Sequence, residues 1–156
     1  MKLGGKISLH WPEEISMAGI AASCKEHKLA YEINLALGLS LSRSIKDIEI
    51  YTSEKTSTTS GNLFEKDTDD GISTHSMFEY TDKILYRRYC LLSNQGSSGW
   101  LLPELKNLSF VLLLQTAHLP ENTWQDMISA ISGIPDVNNM FFLDPEKVPS
   151  KFNLLF

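Results

Sequence analysis

Cysteine, clustered histidine, basic charge and long apolar runs are all scarce in this chain, and each scarcity removes a class of function. Two cysteines, Cys24 and Cys90, are too few for a disulfide framework. The four histidines, His10, His27, His75 and His118, stand singly, without the H-x-H or H-E-x-x-H spacing that grips a metal. Lysine and arginine total 14 against 19 acidic residues, a net charge of −5. The chain therefore lacks the basic surplus that a nucleic-acid binder needs for phosphate contacts. Its most apolar stretch, Phe110 to Leu114, is a strand's length, far short of the ~20 residues of a spanning helix. In the opening MKLGGKISLHWPEE, Lys6 and His10 interrupt the only candidate for a secretory apolar region, and the closing SKFNLLF matches no anchor signal. The expectations are a reducing cytoplasm, no membrane and no nucleic acid.

What remains is a globular composition, with 42% hydrophobic and 21% charged residues, too apolar for intrinsic disorder. At 156 residues, a single domain over 1–156 is expected, burying roughly two-thirds of the surface that the unfolded chain exposes. Ser23-Cys24-Lys25-Glu26 has the form of a capping box. Behind it Leu29, Ala30, Ile33 and Leu37 recur at helical spacing, and Gly38 is placed to stop the helix. Pro120 and Glu121 open a second helix, with Trp124, Met127, Ile128 and Ile131 on one stripe and Gly133 at its close.

Each stripe needs a flat partner. Strands are expected at Ile15 to Ala22, at Ile48 and Ile50 alternating with Asp47 and Glu49, and at Val137 to Leu143. Ser76 to Tyr80 and Ile84 to Leu92, joined by Thr81-Asp82, read as a hairpin. Leu108, Phe110, Leu112 and Leu114 place one apolar side on a further strand. The order β-α-β-β-β-β-α-β predicts an α+β fold with a mixed or mainly antiparallel sheet and two helices on one face, a ferredoxin-like frame with extra central strands. A strand that follows a helix and pairs parallel is expected to return by a right-handed crossover.

The stretch from Thr52 to Thr74, 23 residues, reads as a flexible loop: seven serines and threonines fall within Thr52 to Ser60, and an acidic run from Glu65 to Asp70 follows. Glu65, Asp67, Asp69 and Asp70, against Lys66, carry much of the negative excess, so the folded body is nearer neutral. Asp67-Thr68-Asp69-Asp70-Gly71 is one residue short of a calcium loop, and Phe78 stands where its bidentate glutamate belongs.

Chemistry-bearing motifs are few. Gly96-Ser97-Ser98-Gly99 is read as a flexible turn, lacking the lysine of a P-loop and the third glycine of a dinucleotide fingerprint. No cofactor is implied. Cys24 falls at the first position of the expected helix, with Lys25, His27 and Lys28 nearby, a setting that lowers a thiol pKa. A small half-buried side chain at a strand-to-helix junction is the competing account.

Arg87 and Arg88 fall mid-strand on opposite faces, and Ile84, Tyr86, Cys90 and Leu92 flank Arg88. An arginine in that setting snorkels, pairs with a carboxylate such as Asp47, Glu49 or Glu79, or binds an anion. Trp100-Leu101-Leu102-Pro103-Glu104 follows the Gly/Ser turn, either as a hydrophobic plug or as a partner-binding surface.

Several pieces together look like the uncharacterised bacterial family labelled IPExxVDY after its signature. They are Lys28-Leu29-Ala30-Tyr31-Glu32-Ile33-Asn34, Ser76-Met77-Phe78-Glu79-Tyr80 with Asp82, Leu102-Pro103-Glu104, and the near-terminal Ser150-Lys151-Phe152-Asn153-Leu154-Leu155-Phe156. The resemblance runs from about Ile15 to Phe156, with Leu102 in place of the first isoleucine and Ser109 where the signature aspartate belongs. It implies a self-contained cytoplasmic domain and carries no catalytic residues with it. Three functional readings follow: first, a non-catalytic protein-interaction module or self-associating protein. The alternative is a ligand-sensing regulatory domain resembling ACT modules, suggested by the helix-to-strand passage Ile131 to Asn138. The third is a thiol-dependent enzyme centred on Cys24.

Overall fold

The computed structural model describes residues 10–51 and 71–156. The expected loop at 52–74 lies outside the described residues except at its end. There Ile72–His75 is a strand rather than loop, because it pairs antiparallel with Ile48–Tyr51.

In chain order the elements are β1 (Ile15–Ala22), α1 (Glu26–Leu37), β2 (Ser42–Arg43), β3 (Ile48–Tyr51), β4 (Ile72–His75), β5 (Met77–Asp82), β6 (Arg87–Ser93), β7 (Phe110–Gln115), α2 (Glu121–Ser132) and β8 (Val137–Leu143). Six strands form one sheet in the order β2-β5-β6-β7-β1-β8, and β3 and β4 form a separate two-stranded ribbon. Every pairing is antiparallel, so neither helix is followed by a parallel neighbour, and the crossover expectation does not apply. Within the large sheet the order β-α-β-β-β-β-α-β holds, with β2 taking the place expected of Ile48 and Ile50, which belong to the ribbon. Strands β8-β1-β7-β6 with α1 and α2 make the split β-α-β frame, and β5 and β2 extend its β6 side.

Alternation along the strands separates two cores. Ala18, Ile20, Tyr89, Leu91, Phe110, Leu112 and Leu114 meet Leu29, Ile33, Trp124, Met127 and Ile131 of the two helices. On the other face Met17, Cys90, Leu92, Val111 and Leu113 meet Leu101, Leu102, Leu108, Val148 and Leu154. Leu108 thus packs opposite to Phe110, Leu112 and Leu114 rather than beside them; it precedes the strand, and its carbonyl bonds Asn94. With both faces covered, β7 buries five consecutive residues, Phe110 to Leu114, as its unbroken apolar run requires.

The helix ends follow local rules only in part. Gly38 takes φ +65° and its N–H reaches the Asn34 carbonyl, the left-handed stop that a glycine permits. The capping box does not form: α1 begins at Glu26, the cap residue is Lys25, and the Ser23 hydroxyl lies against Asn138 instead. The antiparallel β1–β8 pair brings Asn138 to that hydroxyl, a tertiary contact that the local pattern does not encode.

Candidate functional site

The segment from Gln95 to Leu108 closes the face opposite the helices, and Asn94 anchors it. This fully buried side chain accepts from the Leu102 N–H at 2.8 Å and donates to the Leu105 and Leu108 carbonyls, each at 2.9 Å. Its own backbone carbonyl receives the Leu101 N–H at 2.7 Å. Leu101 and Leu102 are inserted with no exposed surface, whereas Trp100 is half-buried and Pro103 and Glu104 are exposed. The plug account therefore holds for the leucines. Glu104 braces the C-terminal segment, its carboxylate accepting from both the backbone N–H and the hydroxyl of Ser150 at 2.8 Å.

Trp100 faces a cleft of about 720 Å³ whose other walls include Tyr51, Ser97, Lys106 and Asn153. Lys106 is the only charged residue lining it among the described residues. A second hollow of about 450 Å³ on the other side of Trp100 and Lys106 is lined by Cys24, Lys25 and Ser109. The Gly96–Gly99 turn between them is fastened down, not free. Its Gly96 N–H closes on the Gly99 carbonyl, that of Ser97 on Thr74, and that of Ser98 on the Ser73 hydroxyl. With those donors engaged, the turn offers no phosphate cradle.

Arg87 and Arg88 open β6 rather than lying mid-strand, because the hairpin turn spans Lys83 to Tyr86. Arg88 pairs with Glu79 at 3.1 Å and its guanidinium lies 5.7 Å from the Phe156 ring centre, so carboxylate pairing is the arrangement adopted. Alternation puts Arg87 on the helix side, where its Nε is buried without a hydrogen-bond partner. The two arginines form no joint anion site.

Cys24 lies two residues before the first helical residue and is not at its N1 position. Burial, and then Asp136, raise its pKa, outweighing Lys28, so the thiol is held protonated instead of activated. Burial pushes Cys90 up to about 11. Neither cysteine is in a disulfide, and no group of three metal-ligating side chains occurs among the described residues. No helix among the described residues is long and apolar enough to cross a membrane.

Two features escaped the sequence reading. Ile84, Leu85 and Tyr86, all within the strand expected at Ile84 to Leu92, instead form the exposed tip of the β5–β6 hairpin, at 87%, 52% and 84% exposure. Asp82 folds that tip by accepting from the Ile84 and Leu85 N–H groups at 2.9 and 3.0 Å, and Tyr86 turns the chain back at φ +53°. The Asp82 position, two before an apolar residue after a strand, was the available signal. The second feature is His75, wholly buried at the seam between the ribbon and the Gly96–Gly99 turn. Its only sequence sign was its isolation.

No protein-family model matches this chain, and no curated protein matches it.

Proposed function

We propose that this protein is a non-catalytic interaction module of the cytoplasm, and that its docking point is the Ile84-Leu85-Tyr86 tip. The observation that supports this reading is the tip itself. Three consecutive large apolar side chains are held out to solvent by a turn that Asp82 fixes. Scattered single apolar residues are common on surfaces, whereas a contiguous presented set is what a partner's pocket takes up, with tyrosine a frequent anchor. The cytoplasmic setting fits two free thiols, and membership of the IPExxVDY family belongs to the same proposal.

A second reading, the ligand-sensing domain, is favoured by the cleft at Trp100. There an aromatic wall meets the polar side chains of Ser97 and Asn153 beside Lys106. One experiment separates the two. Tagged protein is expected to recover a stoichiometric partner from native lysate, and the Ile84→Ser/Tyr86→Ser variant is expected to lose it with its melting temperature within a few degrees of wild type. No partner with wild type, together with a thermal shift from a small metabolite that Trp100→Ala abolishes, would replace the first reading with the second.

A further inference from the structure

His75 sits on β4 with its whole surface buried. Its Nδ1 lies 2.9 Å from the Ser93 carbonyl, which can only accept, so Nδ1 carries the proton of the neutral ring. The other ring nitrogen, Nε2, is buried without any hydrogen-bond partner. The Nε2–Cε1 edge rests on Gly96 so closely that a Cβ there would come within 2.6 Å of both atoms. Glycine at 96 is thus the residue that lets the imidazole seat against the turn.

Around this contact the ribbon and the turn are laced together. The Thr74 N–H donates to the Ser97 hydroxyl at 3.0 Å, the Ser97 N–H donates to the Thr74 carbonyl at 3.0 Å, and the Ser98 N–H donates to the Ser73 hydroxyl at 3.3 Å. All of these bonds lie within two residues of His75 on its own strand, so anything that unseats the ring acts on them directly.

We propose that His75 is a proton-operated latch: neutral, it seats the β3–β4 ribbon on the Gly96–Gly99 turn, and protonated, it releases the pair and loosens the wall of the Trp100 cleft. Protonation would add an N–H at Nε2 with no acceptor in reach and bring an unpaired charge into a buried site. No described charge compensates. Glu49 and Tyr51 of β3 point to the opposite face of the ribbon from Ile48, the partner of His75. Asp47 ahead of β3 is engaged with Arg43, and Glu79 of β5 with Arg88. Arg87, Tyr89 and Cys90 of β6 precede Ser93 by at least three positions, Lys46 is exposed before β3, and in the plug Glu104 holds Ser150 while Lys106 lines the cleft. Burial accordingly lowers the His75 pKa, with only the Ser93 bond opposing it. The folded state then binds fewer protons than the unfolded state below about pH 6.5. The latch is fully closed above that pH and is lost as pH falls through the lower folded value.

Amide hydrogen exchange on the full chain, corrected for intrinsic rates, tests this. Between about pH 7.5 and about pH 5, protection at Ser97 and Thr74 is expected to fall at least tenfold, while Leu91 and Leu112 in the helix-side core keep theirs. His75→Gln, which carries no titratable group, is expected to abolish the step, and His118→Gln to preserve it. Unchanged protection in the wild type, or an undiminished step in His75→Gln, would overturn the proposal. If His75→Gln does not fold, the wild-type imidazole resonance decides. A midpoint below 6.5 that coincides with the exchange step supports the latch, and any other midpoint refutes it.

Discussion

Asn94→Ala is expected to destabilise the protein by about 3–5 kcal/mol, lowering the melting temperature by about 10 °C. The substitution removes three hydrogen bonds at once and leaves the Leu102 N–H and the Leu105 and Leu108 carbonyls facing a cavity. The Leu102 N–H and the Leu108 carbonyl are buried and keep their desolvation cost without the compensating bond, whereas the part-buried Leu105 carbonyl retains the Leu108 N–H. The loss is not confined to one point, because the same side chain fastens both ends of the segment that buries Leu101, Leu102 and Leu108. Asn94→Asp supplies a sharper version: its carboxylate keeps the acceptor for Leu102 but sets negative oxygens against two carbonyls. Thermal and denaturant unfolding check both, and a loss below about 1 kcal/mol for the alanine variant would mean that water takes over the three groups.

Leu102→Ala is the second large effect, at about 3 kcal/mol, within the range for a leucine deleted from a packed core. Leu102 has no exposed surface and packs on the sheet face that also carries Met17, Leu92, Val111 and Leu113. The change deletes buried methyl groups and leaves a void that β-sheet and plug, pinned by Asn94, cannot close. Were the Trp100 to Pro103 stretch a docking surface, the same substitution would leave the melting temperature unaltered and weaken a partner. A neighbouring Pro103→Ala, at an exposed position, is expected to stay within about 0.5 kcal/mol of wild type. The contrast between adjacent residues distinguishes a plug from an interface by calorimetry alone.

The two helices were legible because their cores repeat at fixed intervals: Leu29, Ala30 and Ile33 in α1, and Trp124, Met127 and Ile131 in α2, are buried as their spacing demands. The strand Ile15–Ala22 and the strand Val137–Leu143 stand where their apolar content placed them. β2 escaped notice because two exposed residues, Ser42 and Arg43, carry no period at all. β4 escaped because its pairing partner lies on the far side of a long polar segment. Of the candidate site residues, Arg88 found one of the carboxylates named for it, while Leu102 proved to be core and Arg87 turned to the other face. Asn94 and His75 were invisible for a common reason. Each matters through groups distant in sequence, and a polar residue at a strand end looks alike whether it faces solvent or anchors a plug.

By itself the sequence determined the fold class, the two helices and the main strand order in the chain, because these depend on periodicity and length, which are local. Tertiary structure alone decided that β3 leaves the large sheet, that the second sheet face is roofed by the plug, and that Ile84 to Tyr86 protrude. It also set the cysteine chemistry: the pattern around Cys24 promised a helix dipole and nearby cations, but the helix starts later, at Glu26, and burial of the thiol, followed by the approach of Asp136, turns the shift upward. Burial and long-range charge depend on which segments meet, and that is settled only when the chain closes on itself.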